Sequence, residues 1–240
     1  MEAAAGEQAA ERRPYRHEMK YIIDEGEMAL MSARLRRTLR QDSYAARNGG
    51  EYFIRSLYFD DMYDNCMWEK LSGVETRDKY RIRIYNLSDT QIKLERKHKE
   101  GGYIQKWSLP LTRAECDALT GGDPRFLLAR PEPFARQMYG IFRSEQLRPK
   151  VLVDYTREPY VFPAEDVRIT FDKNIRTARR ATDLFNPELP TYPIWDLRNC
   201  AVLEVKFNRY LPSFVASLVQ AGAAQRSSVS KFLYCRQHEL

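Results

Sequence analysis

The sequence predicts an α+β protein whose strands close into one β-barrel of at least eight strands, with helices on its outer surface. Three observations carry this expectation. Many segments alternate with period two or are rich in β-branched and aromatic residues. Turn signals join several neighbouring segments, and no linker divides the chain into two independent cores. Along most strands one face is apolar and the other is charged. Once helices cover the apolar faces and the sheet closes, the charged faces point inward.

The strands are expected at Arg16–Asp24, Tyr52–Phe59, Arg77–Tyr85, Gln91–Lys97, Tyr103–Leu109, Lys150–Pro159, Val167–Asp172 and Ala201–Asn208. Asn86-Leu87-Ser88-Asp89 and Glu100-Gly101-Gly102 read as hairpin turns. Between the strands, Glu25–Gln41 places Met28, Met31, Leu35 and Leu39 at helical spacing. Thr112–Leu119 opens with a capping-box pattern, Thr112 followed by Glu115. Pro133–Phe142 and Pro212–Val219 are shorter helical stretches, and Ser228–Arg236 is a terminal helix with serines available to cap it. Residues 121–133 and 178–194 read as loops, the second holding Pro187, Pro190 and Pro193. Residues 1–14 read as a disordered lead-in, and 15–240 as a single domain.

Composition narrows the function classes. Hydrophobic residues make up 43% of the chain, enough for a sizeable core. A net charge of +6 points to an acidic partner: nucleic acid, a membrane surface or a phosphorylated small molecule. Cys66, Cys116, Cys200 and Cys235 lie far apart without a C-x-x-C pair, which argues against a zinc site and a disulfide framework. A reducing, cytoplasmic setting is the expectation. No apolar run reaches the roughly 20 residues that span a bilayer, and the N-terminus lacks the apolar stretch of a secretory signal.

The charged faces are the informative feature. Residues two apart on a strand share a face. Arg16, Glu18 and Lys20 therefore lie together, as do Lys79, Arg81 and Arg83; Lys93, Glu95 and Lys97; and Glu204 and Lys206. Arg168, Arg157 and Lys106 add cations from three further strands. For any single strand the ordinary explanation is a solvated sheet face. Taken together, the polar faces hold mostly long cations and a few glutamates, where a generic wet face mixes in Thr, Ser and Gln. A packed interior cannot hold so many unpaired charges, since each costs several kcal/mol. The bore is expected to hold water and counter-ions, or a polyanion. A linear triphosphate or polyphosphate suits it: arginine grips phosphate oxygens bidentately and lysine acts as a point charge. Duplex nucleic acid would call for the cations on a convex or grooved exterior and is not the expected partner.

A family resemblance adds to this reading. The ordered segments Arg16-x-Glu18-x-Lys20, S-L-Y-F-D (56–60), K-Y-R-I-R-I-Y (79–85), L-E-R-K (94–97), V-R-I-T (167–170), L-E-V-K (203–206) and S-V-S-K-F (228–232) resemble the VTC domain. This is the polyphosphate-polymerase domain of the triphosphate tunnel metalloenzyme superfamily. The resemblance implies an antiparallel eight-stranded tunnel, ATP as phosphoryl donor, and Mn²⁺ or Mg²⁺ as cofactor. The family's tunnel cations match Lys20, Arg81, Arg83, Lys97, Lys106, Arg157, Arg168 and Lys231, and its metal-binding glutamate matches Glu204. Where the family often carries a second basic residue one turn before the helix lysine, this chain has Ser228, with Arg226 nearby. Family members often act beside membrane proteins, so a separate membrane partner is implied.

The expected chemistry is phosphoryl transfer by positioning and charge stabilisation. Lys20, Arg81, Arg83, Lys97, Arg168 and Glu204 are the expected catalytic set. Glu18, Lys106, Arg157, Lys206, Arg226 and Lys231 are expected to bind substrate, and Glu204 to hold the metal. Glu18 or Glu95 can orient a water if the reaction is hydrolysis. Glu204 can equally serve as the ion-pair partner of Lys206, and Glu18 as a counter-charge to Lys20. Asp60 and Asp61 suit a turn better than a metal site, and His17, His98 and His238 show no paired spacing. Three activities fit the scaffold: an ATP-dependent polyphosphate polymerase, a triphosphate hydrolase, and a non-catalytic sensor of polyphosphate or inositol phosphates.

Overall fold

The computed structural model describes residues 17–101, 103–179, 181–220 and 228–238. Eight strands form the main path of one antiparallel sheet. They are β1 (His17–Asp24), β3 (Tyr52–Asp60), β4 (Arg77–Tyr85), β5 (Ser88–Glu100), β6 (Tyr103–Leu111), β7 (Arg148–Phe162), β8 (Val167–Arg179) and β10 (Cys200–Phe207). Their order is β1-β10-β8-β7-β3-β4-β5-β6. Two short strands, β2 (Arg40–Gln41) and β9 (Tyr192–Pro193), pair with β7 and β8. The helices are α1 (Glu25–Thr38), α2 (Ser43–Ala46), α3 (Asn65–Leu71), α4 (Arg113–Thr120), α5 (Pro133–Ser144), α6 (Ser213–Leu218) and α7 (Lys231–Gln237).

The expected closure does not occur. The sheet curls through 195° and stays open, with β1 and β6 as its two edges. The charged faces supply a physical reason. Closing the ladder would strip water from a bore of cations at a cost of several kcal/mol per unpaired ion, more than one added row of hydrogen bonds returns. Side chains span the opening instead: Lys97 on β5 donates to both oxygens of Glu18 on β1 at 3.3 Å.

The alternation expected from the sequence sorts the two faces. Register pairs Ile82 with Leu57 and Leu94, and Leu203 with Tyr21 and Phe171. These apolar side chains face the convex side, where two clusters form. The smaller holds Met31 and Leu35 of α1 and Val215 of α6 against Ile169, Phe171, Leu203 and Val205. The larger holds Cys116, Leu119, Met138 and Phe142 of α4 and α5 against Leu57, Phe59, Ile82 and Leu94. Each such side chain fully buried stabilises the fold by about 1.5–3 kcal/mol. A buried ion pair braces the same side: Arg55 donates to both oxygens of Asp154 at 2.9 and 2.8 Å, and to the Asn186 carbonyl at 2.7 Å.

Local signals explain the element ends. Asp24 accepts from the Glu27 amide at the start of α1, and Thr112 and Glu115 form the capping box of α4. Asn86 and Leu87 both take positive φ, at 49° and 55°, which is the two-residue turn joining β4 to β5. α7 begins at Lys231 rather than Ser228, because Ser230 is its cap and accepts from the Leu233 amide. α2 and α3 were not expected. Asp64, the N-cap of α3, is left-handed at φ 60°, and Asp60 Oδ1 and Oδ2 accept from the Cys66 and Met67 amides, so a buried carboxylate does the capping. The turn role expected of Asp60 is thus a helix start. No helix among the described residues is long and apolar enough to cross a membrane.

Candidate functional site

The concave face forms the walls of a cavity of about 600 Å³. β4 supplies Arg77, Lys79, Arg81 and Arg83, one every second residue; β5 supplies Lys97 and Lys99; β1 supplies Glu18 and Lys20. β10 adds Glu204 and Lys206, β7 adds Tyr155 and Arg157, and α3 adds Lys70. The segment leading into α7 closes one side. Lys20 Nζ reaches the Val229 carbonyl at 3.5 Å, Lys79 Nζ donates to Ser230 Oγ at 2.8 Å, and Phe232 packs on Tyr58 with ring centroids 5.0 Å apart. Among the described residues eleven Lys and Arg side chains line the cavity against two carboxylates, so the lining carries a large positive excess.

The excess is organised by carboxylates placed at intervals. Lys20 Nζ sits 2.8 Å from Glu18 Oε1 and 3.6 Å from Glu204 Oε1, bridging the two. Lys206 lies 3.2 Å from Glu204, and Arg157 lies 3.6 Å from its other oxygen. Arg157 is held by the fully buried Asp172 through contacts of 2.6 and 2.7 Å, and Lys231 reaches the same carboxylate at 2.5 Å. Beside β4, the buried Glu95 of β5, register partner of Arg81, accepts from Arg81 at 2.7 Å and also pairs with Lys106. Arg83 donates to Ser56 Oγ and the Tyr155 hydroxyl at 3.1 and 3.0 Å.

These contacts fix protonation. Burial pushes the Glu18 carboxyl up, yet Lys97, Lys20 and Lys206 outweigh it and hold Glu18 at about 2. Burial likewise opposes ionisation of Glu204, and Lys206, Lys20, Arg157 and Lys231 hold it well below the ordinary range. Burial acts in the other direction on the lysines. It lowers Lys97 to about 8 against the support of Glu18, and Lys106 to about 8 against that of Glu95. Lys79 falls well below its ordinary value through burial, then the repulsion of Lys20, Lys97, Lys70 and Arg77.

Of the residues expected from the sequence, Glu18, Lys20, Arg81, Arg83, Lys97, Arg157, Glu204, Lys206 and Lys231 come together around this cavity. Lys106 is not part of the lining and pairs with Glu95 on the neighbouring strand. Arg168 is on the concave face but turns away from the lining: it donates to Asp42 Oδ2 at 2.8 Å and the Tyr52 hydroxyl at 3.0 Å. Arg226 lies outside the described residues, as does Arg16. Sequence reasoning assigned no site role to Lys70, Arg77, Lys79, Lys99 or Asp172. Lys79 and Asp172 share faces with Arg81 and Arg168, so the period-two pattern already held them. Lys70 carried no signal, because α3 itself was not foreseen.

The donors on this wall bear on a divalent metal. Among the described residues no three His, Cys, Asp or Glu side chains group closely enough to hold one. The available set is Glu204 and Glu18, joined by Lys20. Thr170, the register partner of Glu204 on β8, keeps its buried hydroxyl without a hydrogen-bond partner. Magnesium-type ions are commonly held by one or two carboxylates with phosphate oxygens completing the shell. The residues fit a metal that arrives with phosphate, and they do not form an all-protein cage.

The family model of the VTC domain matches residues 15–238. Among solved structures, HpAC1 from Hippeastrum, for which a dominant triphosphatase activity is described, is similar with a TM-score of 0.55 and 13% identity, covering 95% of this chain and 97% of its own. A candidate adenylate cyclase from Bacillus halodurans gives a TM-score of 0.48 at 11% identity, covering 85% of this chain and 86% of its own. No curated protein matches the chain in sequence.

Proposed function

The chain belongs to the VTC domain family, and from that premise we propose that it is an ATP-dependent polyphosphate polymerase acting in the cation-lined cavity. The observation that carries this reading is the lining itself. Among the described residues eleven cations line about 600 Å³ with two carboxylates at one part of the wall, which suits several linked phosphates and one divalent ion. Glu204, with Glu18, would hold Mn²⁺ or Mg²⁺. When bound, the metal neutralises charge on phosphate oxygens.

The chain's own residues account for the rest. Arg81 and Arg157 are immobilised by Glu95 and Asp172, so their guanidinium planes are set before substrate arrives. Lys20, Lys97 and Lys206 supply point charges on the same wall. The terminal oxygen of a phosphate chain attacks the γ-phosphorus of ATP in line. The new P–O bond forms as the bond from the γ-phosphorus to the β,γ-bridging oxygen breaks, leaving ADP and a chain one phosphate longer. The attacking oxygen is already anionic, so no general base is required. Residues 15–240 act as one domain in this scheme.

Hydrolysis of triphosphate on the same scaffold is the second reading. It is favoured by the triphosphatase activity described for HpAC1, whose fold is similar. Incubation with ATP and Mn²⁺ separates the readings: long chains indicate the polymerase, free phosphate the hydrolase, and no product a binding domain. Glu204→Ala in the same assay abolishes product in the first two cases.

A further inference from the structure

The cavity's cations divide by the company they keep. Those around Glu18, Glu204, Asp172 and Glu95 are each tied to a carboxylate. Arg83 also pairs with no carboxylate but is held by the Ser56 and Tyr155 hydroxyls, whereas Lys70, Arg77, Lys79 and Lys99 line the same cavity and make no ion pair among the described residues. They lie at one end of it. Arg77 and Lys99 are register partners where β4 begins and β5 ends, Lys79 follows on β4 opposite Lys97, and Lys70 comes from α3. Lys79 is recessed in the wall, with its ammonium on the Ser230 hydroxyl at 2.8 Å and 5.3 Å from the centre of the Phe232 ring. The carboxylates that act on this group, Glu69 on Arg77 and Glu75 on Lys99, are not part of the lining.

From this division, and resting on the polymerase reading, we infer that the Lys70–Arg77–Lys79–Lys99 end is a separate subsite for phosphates that carry no metal. A metal-bearing triphosphate brings its own positive charge and suits the part of the wall that has carboxylates. A bare stretch of phosphate chain carries about one negative charge per phosphate, and a carboxylate beside it would repel it. The end without acidic lining is the place where such a stretch gains the most. The two chemistries give the bore a direction: donor triphosphate beside Glu204, and the remote phosphates of the acceptor chain beside Lys79.

Lys79 is also where an anion changes most. Among the described residues its charged form meets the Ser230 hydroxyl and the Phe232 ring face, and Lys20, Lys97, Lys70 and Arg77 repel it. A phosphate oxygen provides the missing counter-charge.

The test uses the full chain, Lys79→Met, the double variant Lys70→Ala/Lys99→Ala, and Lys93→Ala as a basic control outside the lining. Calorimetry measures metal-free tripolyphosphate with chelator present and, separately, ATP with Mn²⁺. The expected result is a loss of about tenfold or more for tripolyphosphate in both test variants, with ATP–Mn²⁺ affinity within about twofold and the control unchanged. Equal losses for both ligands, or no loss for either, overturn the subsite. Should Lys79→Met not fold, the double variant decides alone, since Lys70 and Lys99 are nearer the surface. A wild-type protein that binds neither ligand defeats the polymerase reading, which is a different outcome from a wild type that binds both with indifferent variants.

Discussion

Lys97 on β5 and Glu18 on β1 meet at 3.3 Å across the open side of a sheet whose backbone ladder never joins there. An ion pair stands in for a row of hydrogen bonds, and unlike a ladder it can be exchanged for another anion. Lys97 is buried enough for its charge to be costly, and Glu18 is what sustains it. Lys97→Met removes one cation from the wall without opening a void. Tripolyphosphate affinity is expected to fall ten- to hundredfold, since a hydrogen bond to a charged group contributes about 1.5–3 kcal/mol. Thermal unfolding is expected to change little, because the lost pair is offset by the lost burial cost. A variant with unchanged affinity would show that Lys97 serves only to pair with Glu18.

The pH response follows from the two lysines set at about 8 against an ordinary 10.5, Lys97 and Lys106. Below about pH 8 folded and unfolded chains both carry these protons, and the cost of burying the charges is complete. Between about 8 and 10.5 the unfolded chain binds protons that the folded chain has released. Stability from these groups therefore rises with pH over that window. Lys97→Met should show a smaller rise in melting temperature than the wild type. A bound phosphate chain favours the charged lysines, so binding takes up protons and weakens as pH climbs through the same window. Titrations near pH 8 in two buffers of different ionisation heat measure the uptake directly, and identical apparent enthalpies would refute it.

Glu204 carries the opposite expectation. It is 5% exposed and surrounded by Lys206, Lys20, Arg157 and Lys231. Glu204→Gln keeps the volume and removes the charge. Metal-dependent turnover with ATP should fall at least about 100-fold. Metal-free tripolyphosphate should bind as well as before or more tightly, since a negative charge has left the wall. Weakened binding of both ligands would mean that Glu204 organises the cations rather than the metal.

Much of this arrangement was legible in the sequence because β-strand geometry is local. The repeat of Arg81 and Arg83 against Ile82 and Ile84 fixes a charged and an apolar face wherever the strand goes, and the register confirms the pairing across β3, β4 and β5. Curl is not local. Whether β1 meets β6 depends on the sum of twists and on the repulsion inside the bore, and neither is written in any one strand. Arg168 shows the same limit at the level of one side chain. Its face was readable, but its capture by Asp42 depends on α2, whose four residues carry no periodic signal. α3 stayed hidden because its cap is the side chain of Asp60, four residues before the N-cap position. Lys70 went unread with it.

The convex side gives a prediction independent of any ligand. Arg55 and Asp154 are 2% exposed each and join β3 to β7 through two parallel hydrogen bonds, while Arg55 also holds the Asn186 carbonyl. Burial raises the Asp154 carboxyl, and Arg55 opposes it. Removing one partner leaves the other charge stranded in the interior, which costs about 3–5 kcal/mol. Asp154→Ala should therefore unfold at a much lower denaturant concentration than the wild type. Replacing both, Arg55→Met with Asp154→Leu, should recover most of the loss, because neither charge is left alone. The Asn186 carbonyl still loses its donor in the double variant, so recovery should be incomplete, and faster proteolysis near residues 184–188 would report the freed loop. If Asp154→Ala were as stable as the wild type, the loop carbonyls of Leu184 and Asn186 that Arg55 already holds would suffice to sustain its charge.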